Sequence, residues 1–284
     1  MRIRFGVVLL IVMALMAAAC GDDDDAGDGA AGDSCEIADL DLQTPGTLTI
    51  ATSEPVFPPW MIDDDPGNGQ GFESAVAYAI AEEMGFTSDQ VVWVRADFFE
   101  SISVGNKPYD FNIQQYSITE ERDEVVDFSD GYYTVQQALV AYDDSPVLSA
   151  ATVADLKEYR LGAAIGTTSL DYIEEVIQPD SAASVYDDNP AAKAAMDANQ
   201  IDALVFDLPT AFYITAVEIP EASIVGVLQA PGDEPEEFGL LFEDGSTLVP
   251  CVNQAIQALK DDGTLAALEA EWIISGSDLK VITP

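Results

Sequence analysis

Histidine is absent from all 284 residues. Without an imidazole, Ser-His-Asp and Cys-His catalysis are excluded together with most zinc sites, which leaves carboxylates, lysine, tyrosine or a cofactor for any chemistry. Basic residues are scarce as well: Lys and Arg number 10 against 52 Asp and Glu, a formal net charge of −42. Nucleic acid and anionic membrane surfaces are polyanions, so long-range repulsion opposes both as partners. The run DDDDAGD (Asp22 to Asp28) holds a small share of the charge, so the folded surface itself is expected to be acidic. Such a surface stays solvated at high ionic strength, which fits a saline habitat and fits lineage-wide composition equally well.

Cysteine is rare, at three residues. The first closes MRIRFGVVLLIVMALMAAAC, which has a basic start at Arg2 and Arg4, an apolar stretch from Phe5 to Met16 and then small residues. That order reads as a secretory signal, and its apolar run is short for a membrane span. Small residues directly before Cys20 resemble a bacterial lipoprotein cleavage and acylation site, although Ala17 stands where leucine is usual. Residues 1–20 are then the lipoprotein signal, with lipid on Cys20, and 21–45 an acidic flexible tether. Cys35 and Cys251 remain, and an even pair in an exported protein favours a disulfide. It would tie the end of the tether to a late helix.

What is abundant is alternation. TLTIAT (Thr47 to Thr52), VVWV (Val91 to Val94) and YDFNI (Tyr109 to Ile113) read as strands, with an amphipathic helix over Phe72 to Met84 closed by Gly85 and a short helix around Phe99 to Val104. The pattern repeats with LGAAI (Leu161 to Ile165), a helix over Thr168 to Ile177, ASVY (Ala183 to Tyr186), a helix over Pro190 to Ala198 and DALVF (Asp202 to Phe206). Two β-α-β-α-β units predict an α/β protein of two lobes, each a mainly parallel sheet flanked by helices. The apolar runs Val135 to Tyr142 and Ser223 to Ala230 are expected to cross between the lobes. The organisation is then 46–137 for the first lobe, 138–230 for the second, and 231–284 for a return to the first with the C-terminal helices.

Ligands of open α/β sheets bind beyond the carboxyl ends of the strands. Phe57 and Trp60 follow the first strand, Phe98 the second, and Gln114, Gln115, Ser117 and Arg122 the third. In the second lobe Thr167 and Thr168 open a helix and Asp207 follows the last strand. One cation, one carboxylate, aromatic rings, amides and hydroxyls suit a zwitterion. Each residue also has a plainer reading. Arg122, flanked by Glu120, Glu121, Asp123 and Glu124, could be a surface ion-pair partner, and Asp207 a helix N-cap before Leu208 and Pro209. Phe99 could take the cleft with Phe98 in the core, and Trp60 could be core beside Phe57. The oxygen-rich DDDPGNG (Asp63 to Gly69) lacks the final glutamate of a calcium loop and reads as a turn, so no metal is expected.

The motifs FPPW, GFESAVAYAIAEEMG, SITEERDEVVDFSDGYY, GTTS, QIDALVFDLPTAFY and ALKDDGTLAALEAEWI, in this order between Gly46 and Ile273, resemble the polar amino-acid class of the extracellular solute-binding proteins of ABC importers, bacterial family 3, in lipoprotein form. The resemblance implies a two-lobed periplasmic-binding-protein fold joined by two crossover strands. It implies a monomeric receptor without cofactor that delivers an amino acid to a membrane permease. It puts Arg122 on the ligand α-carboxylate, Asp207 on the α-ammonium, and Phe57, Trp60 and Phe98 along the side chain, with Gln115, Ser117, Thr167 and Thr168 beside them. Gln114, Gln115 and Tyr116, where small residues are common, are expected to narrow the pocket or to suit an amide-like or carboxylate side chain, and Phe57, where tyrosine is common, removes a hydroxyl. Some relatives are dehydratases of small carboxylic acids. That alternative needs an acid or base in the cleft, and Glu54, the one obvious extra carboxylate, is expected to help hold the ammonium instead.

Overall fold

A computed structural model describes residues 34–230, 232, 235–274, 276 and 278–284. Cys20, the signal segment and the first part of the expected tether lie outside the described residues. From Ser34 onward the chain is docked. Cys35, Ile37, Leu40 and Leu42 pack against the first hydrophobic core, the Gln43 N–H donates to Asp110 at 2.7 Å, and Cys35 is joined to Cys251. The tether therefore does not extend to residue 45: its last residues carry apolar side chains that gain by burial.

The first sheet is built from β1 (Leu48–Thr52), β2 (Val91–Arg95), β3 (Phe111–Asn112) and β4 (Val126–Phe128), with helices α1 (Phe72–Glu83), α2 (Phe98–Ser101) and α3 (Glu120–Asp123) between them. After β5 (Tyr133–Val135) come β6 (Gln137–Tyr142), β7 (Leu161–Ala164), α4 (Thr168–Asp171, extended by a wider turn over Tyr172–Ile177), β8 (Ser184–Tyr186), α5 (Asn189–Asp197), β9 (Ala203–Asp207), α6 (Leu208–Tyr213) and β10 (Ala222–Leu228). The chain ends through β11 (Glu236–Phe238), β12 (Leu241–Glu243), α7 (Val249–Asp261), α8 (Thr264–Trp272) and β13 (Val281–Ile282). The sheet orders are β2-β1-β3-β12-β4 and β13-β10-β6-β9-β7-β8.

Both sheets are mixed rather than mainly parallel. β1, β2 and β3 run parallel, as do β7, β8 and β9, whereas β12, β6 and β10 make antiparallel pairs. The expected crossing runs also differ: β6 and β10 lie inside the second sheet, and the crossing pair is β5 with β11, antiparallel from Val135↔Glu236 to Tyr133↔Phe238. The cause is visible in β6 and β9, where Leu139, Ala141, Ala203 and Val205 enter one core while Ala138, Val140, Leu204 and Phe206 enter another. A strand apolar on both faces belongs between two layers of helices, not in a connection. The C-terminal segment does not stay with the first sheet either, since β13 pairs with β10.

At α1 a glycine is obligatory. Gly71 has φ +95°, and a Cβ there would stand 2.5 Å from the Trp60 carbonyl oxygen, which accepts the Glu73 N–H at 3.0 Å. Asp63 to Gly69 forms a turn in which Asp65 caps Pro66–Asn68, and among the described residues no group of His, Cys, Asp or Glu could hold a metal. No described helix is long and apolar enough to cross a membrane.

Candidate functional site

The carboxyl ends of the parallel strands of both sheets lead to one cavity of about 370 Å³. Its wall takes Phe57 from beyond β1, Asp97 and Phe98 after β2, Gln114, Gln115 and Ser117 after β3, Thr167 and Thr168 after β7, Asp187 and Asp188 after β8, and Asp207 at the end of β9.

Arg122 reaches this cavity from α3, a single turn whose start is capped by Thr119, the hydroxyl accepting the Arg122 N–H at 3.2 Å. The turn sorts its charges. Glu120, Glu121, Asp123 and Glu124 are exposed while Arg122 is 8% exposed. Its terminal nitrogens donate to the Ser117 carbonyl at 2.7 Å and, across the cleft, to the Gly166 carbonyl at 2.8 Å. The guanidinium carbon lies 5.6 Å from the centre of the Phe98 ring. Among the described residues no carboxylate comes within 4.0 Å of it. Burial pulls its pKa down, and the more distant carboxylates of Asp171 and Glu236 push it back. The surface ion-pair reading fails on these facts.

Asp207 stands at the N-cap position of α6, yet its side chain accepts no cap hydrogen bond. It accepts instead from Gln137 Nε2 at 2.8 Å. Burial, then the charge of Glu236, raises its pKa to about 7, against the lowering effects of the Gln137 bond and Arg122. Half-buried, this carboxyl has no lysine or arginine nitrogen within 4.0 Å among the described residues, and it lines the same cavity as an arginine with no carboxylate that near.

The other expected residues divide. Phe57 lines the cavity, and Phe98 does so while stacking on Tyr116 with ring centres 4.8 Å apart. Phe99 is half exposed and lies against Gly166, so Phe98 takes the cleft. Trp60 is 3% exposed, packs on Phe72, Tyr133 and Phe238, and reaches only a smaller adjoining chamber. The hydroxyls of Ser117 and Thr168 donate to Glu236 Oε1 at 2.5 and 2.6 Å, and the Thr167 hydroxyl donates to the Ala164 carbonyl while accepting the Leu170 N–H as a cap. Gln115, at φ +52°, lines the cavity with its amide donating to Glu73. Tyr116 is fully buried core and does not narrow the cavity.

The sequence profile of the bacterial extracellular solute-binding proteins, family 3, matches residues 48–275. The chain belongs to that family. It is similar to the L-cystine-binding protein TcyJ of Escherichia coli strain K12, with 28% identity over 82% of this chain and 84% of that protein. Among solved structures it is similar to an ancestral arginine-binding protein bound to arginine, at 29% identity and a TM-score of 0.66 over 80% of this chain and 98% of that one. It is also similar to the ancestral amino acid-binding protein AncCDT-1, described as a precursor of cyclohexadienyl dehydratase, at 26% identity and a TM-score of 0.66 over 81% of this chain and 96% of that one.

Three polar residues of this solute-binding protein escaped the sequence reading. Glu73 is fully buried, accepts from the Gln115 N–H at 2.7 Å, the Gln115 amide and the Tyr132 hydroxyl at 2.5 Å, and so fixes the loop that carries Gln115. Burial raises its pKa to about 7 against those three bonds. Its signal was position: Glu73 shares a helix face with buried Val76, Ala77 and Ile80. Gln137 shares a strand face with buried Leu139 and Ala141 in the same way. Glu236, on a crossing strand within an acidic run, offered no such signal.

Proposed function

We propose that this protein is a monomeric receptor held at the outer face of the cell membrane by lipid on Cys20, that it binds a free amino acid in its cavity, and that it hands the ligand to the permease of an ABC importer. The carrying observation is one cavity that holds a buried arginine with no carboxylate within 4.0 Å and a half-buried carboxylate with no lysine or arginine nitrogen within 4.0 Å among the described residues. Arg122 offers parallel N–H bonds to an α-carboxylate, a geometry that lysine cannot match. Asp207 meets the α-ammonium, which would otherwise lose several kcal/mol on leaving water. Ser117, Thr167 and Thr168 border the carboxylate, Gln115 the neck of the cavity, and Phe57, Phe98 and the more distant Trp60 the side chain. The names of the relatives, cystine- and arginine-binding, support an amino acid as the ligand. The relative described as a dehydratase precursor is itself named an amino acid-binding protein and favours binding over catalysis.

The test is a melting-temperature screen of the mature protein against the amino acids. Ligand at a hundred times its dissociation constant is expected to add about 2.7 kcal/mol to apparent stability. A screen in which no amino acid moves the melt, while a small carboxylic acid is turned over, would replace the receptor with an enzyme. For the anchor, Cys20→Ala expressed in the host is expected to release the protein into soluble fractions, and retention at the membrane would refute it.

A further inference from the structure

Ser117, after β3, and Thr168, at the start of α4, both line the cavity, and both aim their hydroxyls at one atom. Glu236 Oε1 accepts from Ser117 Oγ at 2.5 Å and from Thr168 Oγ1 at 2.6 Å. Gln137 Nε2 lies 3.2 Å from the other oxygen of Glu236 and 2.8 Å from Asp207 Oδ1, so one amide spans the two carboxylates. The backbone fixes where Glu236 stands. Its strand, β11, pairs with β5, the Ile118 N–H donates to the Glu237 carbonyl at 2.9 Å, and the Gly239 N–H donates to the Tyr116 carbonyl at 2.9 Å. Glu236 is thereby held beside Ser117, and it is not itself part of the cavity wall: it stands behind the two hydroxyls.

A hydroxyl has a single hydrogen to donate. Ser117 and Thr168 give theirs to Glu236, and neither has one left for a ligand. An α-carboxylate on Arg122 would therefore meet two hydroxyl oxygens with their lone pairs towards it and, behind them, a charge of its own sign. The charge of Glu236 does reach the residues assigned to the head group: it opposes the effect of burial on the pKa of Arg122 and adds to that of burial on Asp207.

We infer that Glu236 is a resident competitor for the ligand's α-carboxylate, holding the Ser117 and Thr168 hydroxyls that the ligand has to win. The inference rests on the head-group reading above. Binding exchanges one pair of charge-assisted hydrogen bonds for another, so the hydroxyls add little net affinity. The guanidinium of Arg122, with no carboxylate within 4.0 Å among the described residues, has no such resident to displace. Glu236 lowers affinity without touching the ligand, and its like charge favours release.

The test is titration calorimetry with the amino acid that shifts the melt most, on the mature protein and its variants, each checked by its melting curve. Glu236→Gln and Glu236→Ala are both expected to bind at least about fivefold tighter, because a like charge is removed and the hydroxyls are freed. Ser117→Ala alone is expected to change affinity by less than about threefold, since its hydroxyl is lost to Glu236 and to the ligand alike. In the Glu236→Ala background, where the hydroxyl serves the ligand only, the same substitution is expected to cost about tenfold. Unchanged or weaker binding in both Glu236 variants, or a Ser117→Ala loss as large in the wild type as in the Glu236→Ala background, would overturn the inference and leave the receptor reading intact. If neither Glu236 variant folds, a tenfold loss in Ser117→Ala alone overturns it and a change below threefold supports it. Failure of every amino acid to bind the wild type and the variants alike would overturn the receptor reading, and this inference with it.

Discussion

Arg160 and Arg122 are two of the few cations in an acid-rich chain, and the fold treats them oppositely. Arg160, just before β7, is exposed and meets Asp202 squarely: Nη2 to Oδ1 at 2.6 Å, Nε to Oδ2 at 3.1 Å, with the backbone N–H of Arg160 on Oδ2 as well. Arg122, carried by a turn crowded with acids, is buried and receives none of them. In a chain with 52 carboxylates an arginine finds an anion with little constraint, so Arg122, the one described arginine that is buried without an ion pair, is held for a different partner. Burying a charge without a counter-charge in contact costs several kcal/mol, and within the protein carbonyl oxygens, the Phe98 ring and the more distant carboxylates of Asp171 and Glu236 offset part of that cost.

The largest expected effect breaks this contrast at Arg122. Arg122→Lys keeps the charge and removes the fork. Ligand affinity is expected to fall by roughly 2 to 5 kcal/mol while the fold is retained, because a buried carboxylate loses its matched donors. Calorimetry beside a denaturation curve reads both quantities, and unchanged affinity would return Arg122 to a structural part.

How far the contrast could be read from sequence depends on the range of the forces involved. The parallel strands were legible because each is a local apolar run bounded by turn residues, and with the strand ends came the candidate residues Phe57, Phe98, Arg122 and Asp207. The strands β4, β5, β11 and β13 were not legible, because their pairing is decided by partners far away in sequence and not by a local apolar run between turn residues. Phe98 and Phe99 cannot be told apart by spacing; the stacking partner Tyr116 decides between them. The acids flanking Arg122 were legible as charges, but their exposure, and the burial of the arginine among them, follows from how one turn is seated.

A smaller effect is expected at Asp207, the acidic counterpart of Arg122. Its carboxyl and that of Glu73 both have folded pKa values raised to about 7, above their unfolded values near 4. In the ligand-free protein the stability each contributes is therefore fully present below about pH 4 and is lost as pH rises through about 7. Binding has the opposite sign, since an ammonium needs the ionised carboxylate. Affinity is expected to weaken roughly tenfold or more between pH 8 and pH 5.5. Asp207→Asn should lower affinity and flatten that dependence, whereas Glu73→Gln, which removes the second titrating group without touching the cavity charge, should keep the slope. Loss of the slope in Glu73→Gln would move the pH dependence from the ligand's partner to the loop that carries Gln115.

The smallest effect tests the other arm of the comparison. Arg160 is exposed, and its ion pair with Asp202 is formed in water, where attraction is screened and the alternative partner is solvent. Arg160→Ala is expected to leave ligand affinity unchanged and the melting temperature close to that of the wild type, with the difference vanishing at high salt. The Arg160 side chain also donates to the carbonyls of Asn199 and Gln200, at 3.2 and 2.8 Å, so a residual loss that survives salt would belong to that loop closure and not to the charge pair. Melting curves at low and high sodium chloride separate the two contributions. If Arg160→Ala weakened ligand binding as Arg122→Lys is expected to, the burial of Arg122 without an anion would lose its meaning as the mark of a binding group.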